Sequence, residues 1–184
     1  MKRKWDLRAI ILVALIGIFL GLVYTYAFNN IYNILKLILA PTGYASIVDA
    51  ALSGLWYIAA PLAIYFVPVL GSGVIGEVIA GVVEMAVGGQ WGILTIVSAI
   101  CQGGMNELGF VGRYEKFGWT NVLLGATLAH IGGFVSSYFI YGWNNFKIEL
   151  QLAMFVVGLI SSLLFDGVMV KMITTLCDED LKSE

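Results

Sequence analysis

Two glutamates interrupt an otherwise apolar stretch, GEVIAGVVEMAVGG, at residues 76–89. Glu77 and Glu84 are seven residues apart, and seven helical residues turn ~700°, within ~20° of two full turns. Both carboxylates therefore share one stripe of a helix, with Ala80 and Gly81 between them and Gly88 beyond. Small residues between two acids leave room for something flat against the backbone. A second polar group follows in CQGGMNELGF, residues 101–110. Gln102 and Asn106 are four apart and share a face, and Glu107 sits ~100° around from Asn106. Gly103-Gly104 loosens this helix, which a membrane protein tolerates only where backbone lines a cavity or is buried in protein.

Glu77, Glu84 and Glu107 all fall within apolar segments, and no lysine or arginine is expected at comparable depth. An ionised acid near mid-membrane costs ~2.5–3.5 kcal/mol on insertion scales, so such groups face the bundle interior and meet a partner. Without internal cations, that partner is a proton, a polar side chain or a cationic ligand, whose charge is answered strongly in a low-dielectric site. Aromatic residues at the outer helix ends, Trp56, Tyr57, Tyr138 and Trp143, are placed to stack on a ligand's rings or make cation–π contacts. Asn144 and Asn145 belong to the last external turn, the lone His130 reads as a packed residue, and Asp166 and Lys171 read as a pair or as snorkelling side chains near the inner end of the last span.

Those groups need a scaffold, and composition names it. The chain has 184 residues, 60% hydrophobic and 12% charged, with a mean hydropathy of +0.91. Charged residues make up about a quarter of typical soluble domains, so this is an all-α integral membrane protein. Spans of ~20 apolar residues are expected at 8–28, 50–68, 71–88, 91–112, 118–141 and 147–174, giving six transmembrane helices in one domain over 1–184. With the N-terminus inside, Lys2, Arg3, Lys4, Arg8, Arg113, Lys116, Lys171 and Lys182 fall on the cytoplasmic side and only Lys36 and Lys147 outside. That bias puts both termini in the cytoplasm. The external stretch 29–49 carries Ile31, Ile34, Leu35 and Ile38 at helical spacing, as a short amphipathic helix and possible lid would.

Several function classes drop out. A net charge of −2 without a basic stripe leaves no nucleic-acid partner. Cys101 and Cys177 read as reduced thiols. No nucleophile elbow, zinc-protease motif, P-loop or Cys/His metal spacing occurs, so no enzyme activity, metal or bound cofactor is expected.

With GLWYIAAPLAIY (54–65), GEVIAGVVEMAVGG and QGGMNELGF in one six-span chain, the sequence resembles the substrate-binding S components of energy-coupling factor (ECF) vitamin transporters. It is most similar to their YkoE-like thiamine and hydroxymethylpyrimidine subgroup. The resemblance implies a protein of a prokaryotic plasma membrane with an outward-facing pocket. It also implies partners: a transmembrane coupling subunit and two cytoplasmic ATPases, which consume the ATP. Glu77 and Glu84 would meet the thiazolium charge and the aminopyrimidine, Gln102 and Asn106 would add hydrogen bonds, and Trp56 and Tyr57 match the family's aromatic pair. The first helix lacks the family's alanine stripe, and Ala14, Gly17 and Gly21 stand in as the docking face. The competing readings are an S component for another water-soluble vitamin, or a proton- or cation-conducting subunit in which Glu84, Glu77 and Glu107 relay ions.

Overall fold

The structure, a computed structural model, describes residues 4–183, with side chains described through Glu179. Lys2, Arg3 and the Lys182 side chain, which enter the charge count above, lie outside the described residues. The described chain is helical, without strands, and it runs as six rods.

The first rod is α1 (Leu7–Val23), a widened π-helical turn (Tyr24–Phe28) and α2 (Asn29–Leu39). Asp6 starts it by accepting the Ala9 N–H at 2.8 Å, since the first helical N–H groups have no partner of their own. The rod differs from the expected break at residue 28. No glycine or proline occurs between Tyr24 and Leu39, and the Asn30 amide donates back to the Tyr26 carbonyl at 2.6 Å, so the helix continues through the wide turn. The supposed interfacial helix is an extension of the first span. Pro41 and Gly43, the latter at φ 78°, end it.

The second rod is broken in its middle: α3 (Ser46–Ala51), a 3₁₀ stretch (Ser53–Tyr57) and α4 (Ala59–Phe66). Pro61 lies in the first turn of α4, where its missing N–H costs nothing but a longer helix upstream is prevented. Then come α5 (Ser72–Ala86), α6 (Leu94–Leu108) and α7 (Trp119–Ile140). The last rod is α8 (Ile148–Ser162), a second π-helical stretch (Leu163–Met169) and α9 (Val170–Ser183).

The count of six rods agrees with the six spans expected. By length and composition, four helical stretches among the described residues are able to cross a membrane: Leu7–Thr42, Ser46–Phe66, Trp119–Ile140 and Ile148–Glu179. At 15 residues each, α5 and α6 measure only ~22 Å and lie amid the others, α5 packed on α1, α4 and α6, and α6 on α7. Trp5 bonds the Leu70 carbonyl at 3.0 Å and Lys171 bonds the Phe117 carbonyl at 2.9 Å. The start of α1 and the start of α9 therefore reach the same end of the bundle, together with the 67–71 and 109–118 turns.

Candidate binding cavity

At the opposite end, a cavity of about 300 Å³ opens between the rods. Its first wall is a stripe on the first rod. Tyr24, Phe28, Tyr32 and Lys36 recur every four residues, a spacing that keeps side chains on one face, and Tyr24, Tyr32 and Lys36 line the cavity. Trp56 and Tyr57 come from the 3₁₀ stretch, Trp91 from the turn before α6, and Tyr141 and Trp143 from the turn after α7. The rings brace one another edge to face: Tyr32 with Trp56 at 6.1 Å, Tyr32 with Trp91 at 5.3 Å, and Trp91 with Tyr141 at 5.5 Å. From α6, Thr95, Ser98 and Gln102 form a polar stripe.

Both glutamates of α5 line this cavity and both are buried, Glu77 at 2% exposure and Glu84 at 1%. Glu84 Oε1 accepts from the Trp56 indole N–H and the Asn29 amide, each at 3.1 Å. Asn29 is held in turn by Gln90, at 3.1 Å. Within the described residues no hydrogen bond falls on Glu84 Oε2. Glu77 Oε2 accepts the Ala60 N–H at 3.0 Å, and the Tyr24 hydroxyl accepts the Ala59 N–H at 3.0 Å. Ala59 and Ala60 open α4, so the break in the second rod supplies unpaired N–H groups and the positive end of a helix dipole to Glu77. Gly103 admits this carboxylate: a Cβ there would lie 2.8 Å from Glu77 Cβ.

Asn106 and Glu107 belong elsewhere. Asn106 shares the face of Gln102 but lies a turn beyond the cavity floor, where it donates to Asp166 at 2.7 Å. Glu107 accepts the N–H groups of Gly71 and Val74 and the Tyr114 hydroxyl, the last at 2.7 Å. It caps the start of α5. Tyr114 lies in the turn between α6 and α7, where burial, then the bond to Glu107, hold its phenol well above its ordinary value and keep it a donor. Tyr138 is also outside the cavity, while its neighbour Ser137 is inside, because one residue turns a helix ~100°. Asn144 does not line it either; its carbonyl faces the Gln151 amide at 3.4 Å, and Trp143 takes the lining position.

Two further expectations need correcting. Asp166 does not pair with Lys171: the π-helical stretch turns it inward, 1% exposed, onto Asn106. Lys36, nearer solvent than the glutamates, lines the cavity and pairs with Asp49 at 2.8 Å. Gly17 and Gly21 form no outward face. A Cβ on Gly17 would lie 2.7 Å from Ile79 Cβ, and one on Gly21 would lie 2.6 Å from the Ala80 carbonyl oxygen. These glycines seat α1 on α5, and Ala14, half-buried, borders an apolar groove beside Ile75 and Ile79.

Sequence reasoning missed Tyr24, Tyr32, Lys36, Asp49, Thr95, Ser98 and Tyr141. The four-residue stripe from Tyr24 to Lys36 was a readable signal, hidden by dividing the first rod at residue 28.

The family model for the permease component of the ABC-type cobalt transport system matches residues 8–132. A Bacillus subtilis (strain 168) protein named as an HMP/thiamine permease, YkoE, is 26% identical over 173 residues, spanning 94% of this chain and 84% of the relative. The crystal structure of an S-component of an ECF transporter aligns with a TM-score of 0.84 at 26% identity, covering 95% of this chain and 86% of the other.

Proposed function

Since the chain belongs to the family of ABC-type cobalt transport permease components and has the fold of an ECF S-component, we propose that it captures thiamine or hydroxymethylpyrimidine for an ATP-driven importer. Its family is one of membrane transport components rather than enzymes. The relative named for HMP and thiamine supports the ligand class.

The observation that carries the reading is Glu84, a buried carboxylate with one oxygen held by Trp56 and Asn29, inside an aromatic-walled cavity. A thiazolium answers that charge and stacks on the surrounding rings. The Thr95–Ser98–Gln102 stripe supplies hydrogen-bonding groups for pyrimidine nitrogens, Thr95 Oγ1 being buried without a partner among the described residues. Among those residues no three His, Cys, Asp or Glu side chains gather as a metal site. Aromatic walls suit a flat organic ring better than a hydrated metal ion.

In this reading the cavity opens outward in a prokaryotic plasma membrane and the Trp5 end, carrying most of the lysines and arginines, faces the cytoplasm. A transmembrane coupling subunit and two cytoplasmic ATPases complete the importer. An ion relay fits less well, because Glu107 is tied by two backbone N–H groups away from Glu77.

Thermal-shift and calorimetric titration of the purified protein with thiamine, hydroxymethylpyrimidine, riboflavin, biotin and pyridoxine test the proposal. Stabilisation by thiamine or the pyrimidine alone is expected. A response to another vitamin in their place, or to none, overturns it.

A further inference from the structure

The ion pair at the cavity mouth bears on which chemical form of the ligand enters. Side-chain exposure is 31% for Lys36 and 17% for Asp49, whereas Glu77 and Glu84 are buried deeper in, at 2% and 1% exposure of the whole residue. Thiamine and hydroxymethylpyrimidine each carry a primary alcohol, and the phosphate ester of that alcohol is a hydrated dianion. Burial without a compensating cation bars a hydrated dianion from the deep part of the cavity, where Glu77 and Glu84 offer it no positive partner, so a phosphate is confined to the mouth. The mouth's cation is already engaged there. Lys36 Nζ lies 2.8 Å from Asp49 Oδ1, and the Tyr32 hydroxyl donates to the same oxygen at 2.5 Å. A phosphate approaching Lys36 also meets the repulsion of the Asp49 carboxylate, whose Oδ1 lies 2.8 Å from the ammonium.

We propose that Asp49 is a specificity-determining residue: by holding Lys36, it makes the mouth accept the free alcohol and reject its phosphate ester. The proposal rests on the thiamine and hydroxymethylpyrimidine reading, and it concerns the form of the ligand rather than its ring system. Discrimination here comes from a repulsive group placed against the wrong ligand, as specificity often does. Removing the carboxylate both deletes the repulsion and frees a lysine, which is itself a good point-charge phosphate binder.

The test is calorimetric titration of the full chain with thiamine and thiamine monophosphate, comparing wild type, Asp49→Asn and Lys36→Gln. Wild type is expected to bind the monophosphate at least about tenfold more weakly than thiamine. Asp49→Asn is expected to narrow that ratio to below about threefold, and Lys36→Gln, which leaves the carboxylate bare, to widen it. Equal binding of the two by wild type, or an unchanged ratio in Asp49→Asn with thiamine binding intact, overturns the filter and leaves the vitamin reading standing. If Asp49→Asn does not fold, a narrowed ratio in Lys36→Gln overturns it instead. If wild type does not bind thiamine, the same titrations are made with hydroxymethylpyrimidine and its monophosphate, and absence of binding to both free alcohols overturns the reading and the filter together.

Discussion

The Trp56 indole N–H donates to Glu84 Oε1 at 3.1 Å, so an acidic group of the cavity and one of its ring walls are mechanically one unit. Trp56 is fixed further by edge-on contacts with Phe28 at 6.0 Å and Tyr32 at 6.1 Å. A cation drawn to the carboxylate is thereby presented to ring faces that already hold their positions.

Glu84→Gln keeps the shape and removes the charge. Charged hydrogen bonds contribute about 1.5–3 kcal/mol, and 1.4 kcal/mol is tenfold in affinity. Thiamine affinity is therefore expected to fall at least about tenfold more than that of uncharged hydroxymethylpyrimidine. Calorimetry with the two ligands checks this, and equal losses contradict a charge role.

Trp56→Phe keeps a ring but loses the indole N–H. Among the described residues Glu84 then retains Asn29 as its donor, and its carboxylate is less firmly aimed. Thiamine affinity is expected to drop less in Trp56→Phe than in Trp56→Ala, which loses the aromatic face as well, by about 0.5–1 kcal/mol or more for the cation–π part.

Gly17→Leu places a branched side chain where Ile79 and the Gly76 carbonyl already lie within 2.9 Å of a Cβ. Overpacking costs typically about 1–3 kcal/mol. The expected outcome is a lower unfolding temperature in detergent together with weakened ligand binding, because α5 carries Glu77 and Glu84. Loss of transport with normal stability and binding would instead return this glycine to a docking role.

Glu107→Ala strips the cap from α5 and leaves the Gly71 and Val74 N–H groups unpaired. A buried unsatisfied group costs about 1–3 kcal/mol and these two are half-buried, so thermal stability should fall, while the folded fraction binds ligand with near wild-type affinity. The same junction has a pH signature. Because the Tyr114 phenol is raised above its ordinary 10.0 in the folded protein, its contribution is complete below that pH and is lost as pH rises through the folded value. Tyr114→Phe should flatten the alkaline limb of a stability–pH curve.

The composition and the apolar periodicity by themselves determined a helical membrane protein of six rods, and the Glu77–Glu84 spacing alone put two acids on one face. Such features are local: a helix turns ~100° per residue wherever it sits. Tertiary structure decided what those acids touch. Glu77 meets the start of α4 only because that helix begins afresh at Ala59 and α5 packs beside the break, and Glu107 meets the start of α5 across a turn 33 and 36 residues away in sequence. Depth along a rod was equally hidden, since Gln102 and Asn106 read alike until packing sets one in the cavity and the other on Asp166. Gly17 and Gly21 could serve an inner or an outer face by sequence, and the close approach of α5 assigns them to the inner one. A spacing specifies a direction around one axis, whereas a binding site depends on where several axes cross.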